Sequence, residues 1–166
     1  AAARELGISE GVLSIEVPAG CESYPTPAGD APPAGTLYFR GRAAANLTAG
    51  VPRRPWTEFT ACDAEDLADP GRVHVDAWGY LHVCQGISMG NLWQRPLSEI
   101  VATYDPAAHP VIGPLLAGGP AELVRCYDLP HEDAYCDACH LCYRAREALR
   151  PRFPELLGPD PMYGVY

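Results

Sequence analysis

Thiol chemistry dominates what this sequence can do. It has seven cysteines, and Cys126, Cys136, Cys139 and Cys142 crowd into one short stretch. An odd number leaves one thiol over from any disulfide framework, and close spacing favours a metal or cluster over disulfides. Cys139 and Cys142 form a C-x-x-C pair. Two intervening residues in a tight loop let both sulfurs turn toward one centre. Cys84 supplies a third thiolate from the end of a predicted hairpin strand, and Cys62 a fourth from the loop before it. Four thiolates suit a [4Fe–4S] cluster or a tetrahedral zinc ion.

Two other readings compete on the same residues. Cys136-Asp137-Ala138-Cys139-His140 is a C-x-x-C-H string, the attachment motif of c-type haem, with His140 as axial ligand and Met89 or Met162 on the far side. That reading leaves Cys62 and Cys84 without a role. Structural zinc on Cys62, Cys84, Cys139 and Cys142 is the second alternative, although zinc ribbons bring their ligands in two close pairs and one is present here. Reduced, buried cysteines without metal are the plainest alternative. Cys21 reads as a free loop thiol, and Cys136 as an alternate ligand beside the C-x-x-C pair.

The elements that must position these thiols are short. Arg72–Asp76 and Tyr80–Cys84 alternate as two strands of a hairpin, with Gly79 supplying a positive φ in the turn. Gly86–Leu92 reads as a loop. Pro96–Tyr104 reads as a helix with Leu97, Ile100 and Val101 at i, i+3, i+4. Proline and glycine punctuate Ala107–Gly119, and Pro120–Tyr127 can form a short helix. Tyr143–Arg150 is a helix stopped by Pro151, with Arg144, Arg146 and Arg150 expected on a solvated face.

Nearer the N-terminus, Ala1–Gly7 reads as the end of a helix entered from upstream, Gly11–Val17 and Thr36–Arg40 as strands, and Pro18–Gly35 as a loop. Gly41–Ala45 leads into a short helix or turn. The segment Met162–Tyr166 is expected to pack back as an aromatic end piece. His74 and His82 are expected at the surface or behind the ligands, His109 and His131 in solvent. His140, between two ligands, is placed to hydrogen-bond cluster sulfur and tune its potential. Asp63, Glu65, Asp66 and Asp69 read as a solvated loop.

The order Cys62, then Gly79-x4-Cys84, then Cys139-x2-Cys142 resembles the auxiliary-cluster module of radical S-adenosylmethionine enzymes called SPASM, or its shorter form, twitch. Val75 to Cys84 is similar to that family's hairpin ending in a ligand. Met89-Gly90-Asn91-Leu92 resembles its G-N-L turn, Pro96–Ile100 the helix after it, and Gly41-Arg42-Ala43 a G-R-A motif that often precedes it. The match runs from about Thr36 to Arg150 by order of motifs.

The resemblance implies one [4Fe–4S] cluster on Cys62, Cys84, Cys139 and Cys142, serving electron relay or substrate positioning. No cysteine follows Cys142 to hold a second cluster, and the interval from Cys62 to Gly79 is slightly long for the module. The catalytic signature C-x-x-x-C-x-x-C of the family is absent, since Cys136-x2-Cys139-x2-Cys142 has a different first interval. The chain is therefore not expected to cleave S-adenosylmethionine by itself. A radical S-adenosylmethionine core, upstream in cis or in trans, is the implied partner, and the substrate, peptide or small molecule, is left open.

The expected fold class is α+β: a small hairpin with short helices and long loops around the cysteines, preceded by the remnant of a partial barrel. Residues 1–58 form the N-terminal segment, 59–150 the cluster-binding domain and 151–166 the tail. The chain of 166 residues is 48% hydrophobic, enough for a real core. Its net charge of −9 repels phosphate backbones, which argues against nucleic acid. No run approaches the roughly 20 apolar residues of a membrane span, and the cytoplasm is the expected location. Every basic side chain except histidine is arginine, a compositional bias.

Overall fold

The computed structural model describes residues 16–18, 35–62 and 64–165. The readings on Ala1–Gly7, on most of Gly11–Val17 and Pro18–Gly35 with Cys21, on Asp63 and on Tyr166 lie outside them. The fold is α+β, with four helices, small sheets and no closed barrel among the described residues. Strands β1 (Glu16–Pro18) and β2 (Gly35–Leu37) pair in parallel. Helix α1 (Arg42–Asn46) follows, then β3 (Arg54–Pro55). A three-stranded antiparallel sheet holds β4 (His74–Val75), β5 (Tyr80–Cys84) and β6 (Ile87–Asn91) in that order. Helices α2 (Leu97–Ala102) and α3 (Ile112–Tyr127) lead to β7 (Ala134–Tyr135), which pairs with β3, and to α4 (Ala138–Leu149).

The turn between β4 and β5 forms as its residues require. Gly79 takes φ 80°, and the Asp76 carboxylate accepts hydrogen bonds from the Trp78 and Tyr80 amides at 2.9 and 3.0 Å. Beyond Cys84, however, the chain makes a second hairpin: Gln85 and Gly86 turn it into β6, where a loop is expected from sequence. Gly86 has φ 80°, which permits so short a connection. Leu81, Val83 and Cys84 are all buried, so β5 is covered on both faces and its alternation is not one of inside and outside. On α2 only Ile100 is buried, while Leu97 and Val101 are about half exposed.

Helix α4 begins earlier than the pattern from Tyr143 suggests. Asp137 has extended backbone and its carboxylate accepts from the His140 amide at 2.6 Å, an N-cap that extends the helix back over the C-x-x-C pair. Its buried side carries Leu141, Cys142, Ala145 and Leu149. Helix α3 packs on α4 and is broken at Gly118 and Gly119, just before Pro120, which has no amide to continue the ladder. The core gathers Phe59, Val83, Ile87, Ile112, Leu123, Leu141 and Leu149. As expected, the C-terminal end packs back: the 3₁₀ turn Asp160–Tyr163 buries Tyr163 against this core.

Candidate metal centre

One helix, one strand and one loop carry the four cysteines to the same pocket. Cys139 and Cys142 lie in the first two turns of α4. Three residues apart, they present their sulfurs on one helix face, so the pair is made by a helix and not by the tight loop expected from sequence. Cys84 ends β5, directly before the Gln85-Gly86 turn. Cys62 follows the 3₁₀ turn Trp56–Glu58 in chain without regular structure. That loop is seated on the kink of α3. The Ala121 amide donates to the Phe59 carbonyl at 3.0 Å. Gly119, at φ 66°, lies so close beneath that an added Cβ would sit 2.4 Å from the Ala61 nitrogen. Only glycine fits such a contact in that conformation.

Cys62, Cys84, Cys139 and Cys142 all line one small pocket, with Leu67, Ile87, Leu115 and Pro120 making its walls apolar. Among the described residues, no group of three or more His, Cys, Asp or Glu side chains meets the geometry of a single bound metal ion. Cys84 and Cys142 are buried, Cys62 and Cys139 partly so. Burial pushes the Cys142 thiol up to about 11, the Arg146 charge working against it and the Cys84 and Cys62 sulfurs with it. Cys139 is raised further by burial and by Cys142, Asp137 and Cys84. In the metal-free chain both thiols are therefore protonated at neutral pH, and ligation has to release those protons.

Two arginines answer the sulfurs. Arg40 donates to the Cys84 sulfur at 3.4 Å and lies 3.8 Å from Glu65, whose side chain is 7% exposed and also holds Arg72. The acidic loop after Cys62 is thus in part a buried ion-pair site, not the solvated segment its composition suggests. Arg146, expected on a solvated face, is 1% exposed. Burial works against its charge. The Tyr163 hydroxyl and the Cys142, Cys84 and Cys139 sulfurs favour that charge once they ionise, and its pKa is raised.

Of the histidines, His109 departs from the expected solvent exposure, while His74 is exposed as expected. His82 is buried, its Nε2 2.9 Å from the Asp76 carboxylate. His109 is half-buried and caps α3, its Nδ1 accepting from the Val111 and Ile112 amides at 3.1 and 3.2 Å. His131 is exposed, as expected. His140 is 2% exposed, packed edge-on to Tyr135, and its Nδ1 lies 3.4 Å from the Cys136 amide that donates to it. Burial and the charges of Arg144 and Arg53 lower its pKa to about 4, so the ring is neutral. Cys136 lines a different groove, with Phe39, Val51 and Arg54, which Cys139 also borders. Cys126 is exposed on α3.

Sequence reasoning missed Arg40, Arg146, Gly119 and the Asp137 cap. Two of these left a signal. Asp137 stands just before a helical run, as an N-cap does. Arg146 follows Cys139 and Cys142 at i+7 and i+4, on the same face. Comparison of the chain with protein-family models, with curated proteins and with solved structures gives no match.

Proposed function

We propose that this chain binds one [4Fe–4S] cluster through Cys62, Cys84, Cys139 and Cys142, as the auxiliary-cluster part of a radical S-adenosylmethionine protein. The observation that carries this is the convergence of four thiols, from three segments distant in sequence, on one apolar pocket flanked by two arginines. A thiolate-ligated [4Fe–4S] cluster is a bulky anion. Apolar walls limit its exposure, and nearby guanidinium groups offset its charge. Four protein ligands would close the cluster, which favours electron relay or a structural role over direct substrate binding. When bound, the cluster would supply a one-electron carrier. The chain's own residues hold it, screen it from water and balance its charge.

The parallel pairing of β1 with β2 supports reading the N-terminal part as the last strands of a partial barrel, with the core and its S-adenosylmethionine site supplied elsewhere. Anaerobic reconstitution tests the proposal. Brown protein with iron and acid-labile sulfide in equal amounts is the expected outcome, without release of 5′-deoxyadenosine from S-adenosylmethionine. Stoichiometric zinc without sulfide would overturn the cluster in favour of structural zinc.

A further inference from the structure

Arg146 is a cation in an unusual place. Its guanidinium is buried, and among the described residues its hydrogen bonds go to neutral groups. Nε donates to the Cys142 carbonyl at 3.3 Å, and Nη1 to the Gln85 carbonyl at 2.6 Å and to the Tyr163 hydroxyl at 3.3 Å. Cys142 is one proposed ligand, and Gln85 directly follows another. One side chain therefore ties the ligand-bearing helix to the ligand-bearing hairpin turn. Tyr163 completes the tie: its hydroxyl donates to the Gly86 carbonyl at 2.7 Å. A buried charge with no counter-ion is costly, and a bound anion beside it removes most of that cost.

We propose that Arg146 is the positioning residue of this site: it holds the Cys84 and Cys142 segments in register, and its fixed charge raises the potential at which a bound cluster accepts an electron. The inference rests on the cluster reading above. Reduction by one electron, supplied by a chemical reductant such as dithionite, adds one negative charge to the cluster. A nearby buried cation stabilises that reduced form more than the oxidised one.

The test uses the reconstituted chain with Arg146→Lys, Arg146→Gln and Arg146→Met. The midpoint potential is read by spectroelectrochemical titration, cluster loss by absorbance under a chelator, and folding by circular dichroism. Lysine should keep the potential close to wild type, because it keeps the charge. Glutamine and methionine should shift it to more negative values and speed cluster loss several-fold. Wild-type potential and retention in the glutamine and methionine variants would overturn the inference, as would a lysine variant as impaired as methionine in both. If the neutral variants do not fold, the lysine variant decides: a folded protein without cluster, or with a strongly lowered potential, sinks the idea. A wild-type chain that takes up no cluster would instead refute the underlying reading.

Discussion

The pocket has two unlike walls. One is α4, a capped helix whose Cys139 and Cys142 are set by regular backbone and by burial of Leu141, Ala145 and Leu149 behind them. The other is the loop of Cys62, which has no regular hydrogen-bond ladder and leans on the Gly119 kink and on the Glu65 ion pairs. The helix wall is organised by its own packing, whereas the loop wall depends on what it touches. Ligation should therefore do little for α4 and much for the segment around Cys62, because tying a loop to a fixed centre removes entropy that a helix has already lost.

Removing a ligand should have the largest effect. Alanine at Cys62, Cys84, Cys139 or Cys142 should abolish most iron uptake, while Cys136→Ala and Cys126→Ala should leave iron content near wild type. Iron analysis after reconstitution reads this directly. A Cys136→Ala variant that empties the site, with Cys62→Ala still loaded, would transfer the loop wall's role to the groove of Cys136.

The next largest effect is expected at the support of the loop wall. Gly119→Ala places a side chain at φ 66° against the Ala61 backbone. With ψ at −163° this backbone region is essentially confined to glycine and costs another residue about 1–3 kcal/mol, and the Cys62 loop must also move. Urea unfolding of the metal-free chain should show at least ~2 kcal/mol of destabilisation. A neutral result would mean that the loop is not seated on α3 as described.

Weakening the helix wall should cost less. Asp137 accepts from the His140 amide at 2.6 Å and the Phe39 amide at 3.1 Å, so it caps α4 and fastens the chain before α1 to it. Asp137→Ala should destabilise the metal-free chain by about 1–2 kcal/mol, and Asp137→Asn by less, since asparagine still accepts. Hydrogen exchange sharpens the contrast. Chelation should deprotect amides of residues 59–72 and leave those of α4 unchanged. Equal loss in both would remove the distinction between the walls.

The smallest effect is that of pH. Burial lowers the His109 pKa from 6.5, against the hydrogen bond with Ser88. The folded ring stays neutral at pH values where the unfolded chain already binds the proton. Its contribution to stability is therefore complete above about pH 6.5 and is lost as pH falls toward the folded value. Urea unfolding at pH 7.5 and 5.5 should show a larger loss in wild type than in His109→Asn, which keeps a side-chain acceptor near the start of α3 but does not titrate. Identical pH dependence would exclude His109 from the effect.

Much of the architecture is legible without coordinates. The β4–β5 hairpin with its glycine turn, the helix ending at Pro151 and the returning aromatic tail are all written locally. Turn chemistry and proline act on their nearest neighbours, and no distant contact can reverse them cheaply. The second hairpin at Gln85-Gly86 is less legible, because its strand has few of the β-branched residues that mark one.

By itself, the sequence determined which residues could act: seven thiols, the C-x-x-C pair, and Cys84 at a strand end. Spacing alone could not say which thiols share a space, which only the resemblance in motif order implied, because that depends on α3 crossing α4 and on a glycine that lets the Cys62 loop lie against the kink. Nor could it tell Arg146 from Arg144 two positions earlier. Both are arginines on one helix, and only the packing of Tyr163 and the Gln85-Gly86 turn over one side of that helix buries the first and leaves the second at the surface. Burial is a property of the neighbours a residue acquires on folding, and it is burial that turns a common surface charge into part of a site.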